Sequence, residues 1–151
     1  MSLVDAYSYR VELDWRERRG GVVHAQGLPE LVFSAPPEFG GIVGRWTPEH
    51  LLVAANASCF MASLLAVADA QKLSLAYFRL SSVARMERVP GEGYRITEIV
   101  LRPEIGVAEE DMPKLEKVLA KAEKICIVGN ALNVRVQVEP KIEAQAMAMT
   151  P

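Results

Sequence analysis

Thr47–Lys72 reads TPEHLLVAANASCFMASLLAVADAQK, and this stretch decides the fold. Thr47 offers a side-chain oxygen to cap a helix, Pro48 needs no hydrogen-bonded N–H at the first position, and Glu49 sets its charge against the positive end of the helix dipole. The pattern predicts a helix from Pro48 to about Lys72. Its apolar residues go all the way round. Leu51, Leu52, Phe60, Leu64 and Leu65 fill space on most of the cylinder, while Ala55, Cys59, Ala62 and Ala66 fall at helical spacing, flanked by Ser58 and Ser63, and leave one face nearly smooth. Asn56, Ser58 and Ser63 interrupt the apolar run Leu51–Ala68, which suits a buried helix better than a membrane span. Such a helix needs cover on two sides. A sheet supplies one, and with only one other helix in the pattern a second copy of the chain is the candidate for the other.

Outward from this helix the chain alternates as strands do. Tyr7–Asp14 reads as a half-buried strand, Gly20–Gly21 as its turn, and Val22–Gln26 as its partner. Leu31–Ser34 is a short strand ended by Ala35-Pro36-Pro37. Beyond the helix, Leu75–Val89 and Tyr94–Ile105 form a longer hairpin across Pro90-Gly91-Glu92-Gly93. Leu115, Val118, Leu119, Ala122 and Ile125 define an amphipathic helix stopping near Gly129-Asn130, and Val134, Val136 and Val138 alternate as a last strand. Hairpins in place of crossovers predict an antiparallel α+β fold. A single domain over residues 1–140 is expected, with 141–151 as a tail carrying no pattern that would order it.

The 151 residues, half of them apolar, suffice for a real core. A net charge of −2 argues against nucleic acid as a partner. No charged start followed by an apolar stretch and a cleavage site is seen, so a cytoplasmic location is expected, with no membrane role. Two cysteines in such a compartment suit a transient, catalytic disulfide better than a structural one. Two cysteines and two histidines without close spacing make a poor zinc site, and Gly40, Gly41 and Gly44 lack the Lys-Ser/Thr of a phosphate loop. No metal and no cofactor are expected. Asn56-Ala57-Ser58 matches a glycosylation sequon, but on a buried helix chance accounts for it.

The two thiols carry the chemical interest. Taken singly, Cys59 is a small buried hydrophobe, Cys126 a helix-end residue, Glu49 a first-turn charge and the arginines of Arg16–Arg19 turn-exposed charges. Taken together, a thiol on a central helix and a second at another helix's end can make a peroxide-reducing centre if the fold brings them together.

The segments Glu38–Gly41 (EFGG), Trp46–Leu52 (WTPEHLL), Ala57–Phe60 (ASCF) and Ala122–Leu132 (AEKICIVGNAL) resemble the OsmC/Ohr family of osmotically inducible and organic-hydroperoxide-resistance proteins. The resemblance covers roughly Tyr9 to Val138. It implies an intertwined homodimer, with long central helices between curved antiparallel sheets, and reduction of organic hydroperoxides. By the same resemblance Cys59 is the attacking thiol, Cys126 the resolving thiol, and Glu49 the carboxylate of a Pro-Glu motif. Arg18 or Arg19 fits the place of the family's active-site arginine. Ile127 and Gly129 stand where the hydroperoxide-resistance branch commonly has a proline and then a serine or lysine, which puts the chain nearer an OsmC-like branch. The implied reductant is a dithiol, in the family a lipoylated protein. Phe39, Phe60 and Met61 are expected to line an apolar approach favouring alkyl hydroperoxides. A non-catalytic member of the fold, binding a small molecule or sensing redox state, is the alternative.

Helix arithmetic adds one expectation. Glu49 and Cys59 are ten residues apart, so on one straight helix about 15 Å of axis separates them. Direct contact within one helix is thereby excluded, leaving either the arginine of the first hairpin to touch both residues or Glu49 of one protomer to serve Cys59 of the other; the smooth Ala55/Cys59/Ala62/Ala66 face favours the second, composite site.

Overall fold

The computed structural model describes residues 5–145. The order of elements is β1 (Glu12–Glu17), β2 (Gly20–His24), β3 (Leu31–Ser34), α1 (Pro48–Ala70), β4 (Tyr77–Val89), β5 (Gly93–Ala108), α2 (Met112–Ile125), α3 (Ile127–Ala131), β6 (Arg135–Val138) and β7 (Lys141–Gln145), with single 3₁₀ turns at Pro37–Phe39 and Glu109–Asp111. Contacts group the chain into two compact units, divided between Leu51 and Leu52. Nothing in the residue pattern marks this division of the expected single domain.

The first unit is an antiparallel three-stranded sheet in the order β1-β2-β3. The opening hairpin is shifted from the expected one. Its turn is Arg18–Arg19, with Arg18 in the left-handed region at φ 46°, and Gly20–Gly21 lies inside β2. Glycine is needed there for a different reason: a Cβ on Gly21 would lie 2.2 Å from the Asp14 carbonyl oxygen of the neighbouring strand. After β3 the chain folds into a loop held by backbone bonds from Gly41 N–H to the Pro36 carbonyl and from Ser34 N–H to the Trp46 carbonyl. The buried Ser34 hydroxyl accepts from Ile42 N–H at 2.8 Å. Thr47 caps α1 as its sequence predicts, accepting from His50 N–H at 3.1 Å.

The second unit is a four-stranded sheet around β5. β4 and β5 form the expected long hairpin, paired from Tyr77↔Gly106 to Val89↔Gly93, with an irregularity at Arg85/Met86. The other edge corrects the all-antiparallel expectation. β6 pairs with β5 in parallel, and so does β7. The helical segment between β5 and β6 is therefore a crossover, the connection a parallel pair requires. Lys141–Gln145, expected to begin an unordered tail, is β7, paired from Glu104↔Lys141 to Ala108↔Gln145; the rest of that expected tail lies outside the described residues. Pro140 interrupts this edge because it has no N–H, but Glu139 N–H still reaches the Leu101 carbonyl and the chain resumes along β5. Pro103, inside β5, falls in the gap between the β6 and β7 pairings. Tyr77 lies over Gly106 and donates its hydroxyl to Glu143 of β7; that bond is the main reason its pKa is pushed up to about 12.

The core follows from the strand period. Ile99, Leu101, Ile105 and Val107, alternate residues of β5, are buried. Leu101, Ile105 and Val107 cluster with Phe60, Leu64 and Val67 of α1 and with Leu115, Val118 and Ala122 of α2. Pro48–Ala70 is long and apolar enough, by length and composition, to cross a bilayer. In the fold its Phe60 and Leu64 are buried in this core.

Candidate active site: two thiols at a helix junction

α2 does not run to Gly129 as expected. It ends at Ile125, Cys126 is extended (φ −63°, ψ 105°), and the separate short helix α3 follows. Cys126 is the N-cap of α3: its Sγ accepts from Gly129 N–H at 3.4 Å, the bond a serine oxygen makes in an ordinary cap. The sulfur is thereby held against the body of the fold, and the residue is 4% exposed.

The same turn aims its backbone at the other cysteine. Val128 N–H points to Cys59 Sγ at 3.5 Å. Cys59 is half-buried on α1 and Cys126 is buried; both are free. Burial pushes the Cys59 thiol up. Hydrogen bonds from Val128 N–H, the Cys126 thiol, Ile127 N–H and the Ser63 hydroxyl outweigh it and hold the thiol below its ordinary value. Cys126 moves the other way. Burial pushes it up, the Gly129 N–H offsets part of this, and the negative charge of Cys59 adds to the rise. Two thiols side by side thus differ in acidity, Cys59 the more acidic and Cys126 the less. Ser63, one turn beyond Cys59, was legible as a same-face neighbour; the amides of Ile127 and Val128 are backbone groups and no residue pattern reveals them.

Of the residues singled out in the sequence, Cys59 and Cys126 are brought together in the second unit. Phe60 is 1% exposed, in the core and in the wall of a cavity that Cys126 also lines. Met61 is half-buried on α1. In the first unit, Arg18 donates to the Gly40 carbonyl at 3.4 Å and Arg19 to the Phe39 carbonyl, so both arginines fold onto the loop that carries Phe39. Glu49 is in the first turn of α1, where its Oε2 is shut off from solvent with no hydrogen-bond partner among the described residues. Among the described residues no group of three or more His, Cys, Asp or Glu is placed to hold a metal.

An α+β chain with a mixed sheet, a long apolar helix and paired thiols of unequal acidity defines a class, and comparison with known proteins gives the class its family. Residues 40–141 match the model of the OsmC-like protein family. The chain is 33% identical over 116 residues to an organic hydroperoxide resistance protein of Xanthomonas axonopodis pv. citri, covering 76% of this chain and 79% of the relative. Among solved structures, an OsmC-like protein of unknown function from Vibrio cholerae superposes with a TM-score of 0.80 at 21% identity, covering 89% of this chain and 99% of that one. An organic hydroperoxide resistance protein OsmC from Legionella pneumophila gives 0.72 at 28% identity, covering 91% and 98%. The chain belongs to the OsmC-like family.

Proposed function

We propose that this protein is a thiol-dependent peroxidase that reduces organic hydroperoxides to alcohols. The observation that carries the reading is the unequal pair, a Cys59 sulfur surrounded by hydrogen-bond donors beside a Cys126 held as the thiol. Kinship to organic hydroperoxide resistance proteins supports the choice of oxidant. The thiolate of Cys59 attacks the terminal oxygen of ROOH and the O–O bond breaks. With a proton the leaving alkoxide departs as ROH, and Cys59 becomes a sulfenic acid. Cys126 then gives up its proton and attacks the Cys59 sulfur; hydroxide leaves as water and a Cys59–Cys126 disulfide forms. An external dithiol, on the family resemblance a lipoylated protein, reduces it by exchange.

The remaining parts of the reading rest on resemblance and on isolated features. Arg18 or Arg19 supplies the cation that stabilises developing negative charge, and Glu49, whose Oε2 has no donor among the described residues, orients the guanidinium. The assembly is a homodimer: on α1, Ala55, Ser58, Ala62, Leu65 and Ala66 form an exposed, nearly apolar stripe at helical spacing. Phe39 and Met61 contribute apolar lining for the alkyl group. Free thiols suit a reducing compartment, hence the cytoplasm.

Adding cumene hydroperoxide to the reduced protein and counting thiols by intact mass tests the proposal. Rapid loss of both thiols, with release of one alcohol per chain, is expected, and Cys59→Ser abolishes it. Inert thiols would overturn the enzyme and favour a non-catalytic binder. If Glu49→Gln and Cys59→Ser protomers are mixed, a composite site in the dimer restores activity that neither parent shows. Failure to complement in verified heterodimers would remove the composite arrangement.

A further inference from the structure

Asn56 has no role in the chemistry above, yet its placement is the least explained in the second unit. The residue is fully buried (0% exposed), and among the described residues neither its Oδ1 nor its Nδ2 has a hydrogen-bond partner. A buried amide left unpaired loses its hydrogen bonds to water without replacement, and an apolar side chain of similar shape would carry no such cost. Asn56 lines a cavity of about 230 Å³ between α1, β5, α2, α3 and β6, and Cys59 is not among the residues that form it. Phe60, Leu101, Val134, Val136 and Val138 form the apolar part of its wall, and Asn56, Glu123 and Asn130, whose Nδ2 is already given to the Lys124 carbonyl, form the polar part. Gly129 stands beside the amide without a side chain: a Cβ there would lie 3.3 Å from Asn56 Nδ2 and 3.3 Å from Cys126 Sγ, crowding the space next to both. The ionisable groups of the lining are Glu123 and Cys126, and no cationic side chain is among them.

We propose that this cavity is a binding site for a small neutral amide with an apolar body. A carboxamide presents a donor and an acceptor side by side and is complementary to a second carboxamide in a paired N–H···O=C arrangement, so such a ligand satisfies Oδ1 and Nδ2 together. The apolar side of the cavity, Phe60, Leu101, Val136 and Val138, takes the hydrocarbon body. A carboxylate of the same shape lacks the donor, finds no cation in the lining and meets Glu123, so it is excluded by charge. The site shares the Cys126 wall with the thiol pair but is formed without Cys59, and its occupancy is measured without any peroxide chemistry. Failure of this proposal therefore leaves the peroxidase proposal standing, and the converse also holds.

Benzamide and benzoate are matched probes. In ¹⁵N-resolved NMR of the reduced wild-type protein, benzamide is expected to shift the Asn56 side-chain NH₂ resonances and the Gly129 amide, with a Kd of order 1 mM for so small a ligand. Benzoate leaves them unmoved. Asn56→Leu weakens benzamide binding by about tenfold, the worth of the lost amide pairing. Glu123→Gln narrows the gap between the two probes. Absence of benzamide shifts in the wild type, meaning a cavity that holds only solvent, would overturn the proposal whatever the variants do. Equal binding of benzoate, shifts confined to other residues, or unchanged affinity in a folded Asn56→Leu protein would overturn it too.

Discussion

Val128→Pro removes one atom that matters, the amide hydrogen pointing to Cys59 Sγ at 3.5 Å. Val128 is the second residue of α3, where the N–H has no partner within the helix, so proline there breaks no helical bond. The chain already tolerates this in α2, where Pro113 follows Met112 in the first turn. An amide-to-sulfur bond of 3.5 Å has ordinary length for sulfur, a weak acceptor, so its preference for thiolate over thiol is set at about 1 kcal/mol, a factor of about five in the thiolate fraction well below the pKa. The sign is fixed by the cause. The bond holds the Cys59 pKa down, so its loss moves the titration to higher pH. A less acidic thiol is a better nucleophile once ionised, with a Brønsted slope near ~0.45, which returns about a factor of two. Reaction of Cys59 with dithiodipyridine, followed by peptide mass, is therefore expected to slow by about two- to threefold at neutral pH. In alkali, where both proteins are thiolate, the variant is expected to overtake the parent by about twofold. This crossing separates loss of a hydrogen bond from disorder of the turn, which would depress reactivity at every pH. Val128→Ala retains the N–H and is expected to follow the parent. Superimposable profiles for proline and parent, or an alanine variant that behaves like proline, would refute the reasoning.

Cys126→Ser is expected to fold with unchanged stability, because a serine oxygen takes the Gly129 N–H as readily as sulfur does. Under excess cumene hydroperoxide its Cys59 is then expected to advance to sulfinic and sulfonic acids, read by intact mass; an unmodified Cys59 would contradict this. Leu64, fully buried in the cluster of α1, α2 and β5, is expected to cost about 3 kcal/mol as alanine, seen as a lower urea midpoint with an unchanged slope. Two glycines of one loop are expected to separate. A Cβ on Gly41 would lie 1.5 Å from the Ala35 carbonyl oxygen, so Gly41→Ala forces the loop open, whereas Gly44 has open space and φ +85°, so Gly44→Ala costs only about 1–2 kcal/mol of backbone strain. Thermal unfolding ranks the pair, and equal losses would deny the close approach at Gly41.

What the residues alone determine here is local. Thr47, Pro48 and Glu49 set the start of α1, period-two alternation sets the β4–β5 hairpin, and the small residues around Cys59 set a face that a neighbour must cover, because caps, periodicity and side-chain size act within a few residues of chain. The two cysteine motifs, in order, were enough to place the chain beside its family. Sheet pairing was not legible in the same way. Nothing in the segment from Arg135 to Gln145 states whether it runs parallel or antiparallel to β5, since that is set by where the crossover helices deliver the chain. The opening turn slipped from Gly20–Gly21 to Arg18–Arg19 because the glycines answer a tight interstrand approach and not a reversal. At the site, the sequence named both thiols and the resemblance gave each a role, but neither supplied the physical cause of their difference in acidity. That difference comes from donors with no side-chain signature, the amides of Ile127, Val128 and Gly129, which meet the sulfurs only because Cys126 breaks the helix at its own position. Acidity of a thiol depends on what lies within a few ångströms of it, and only the tertiary structure brings together groups that the chain keeps 69 residues apart.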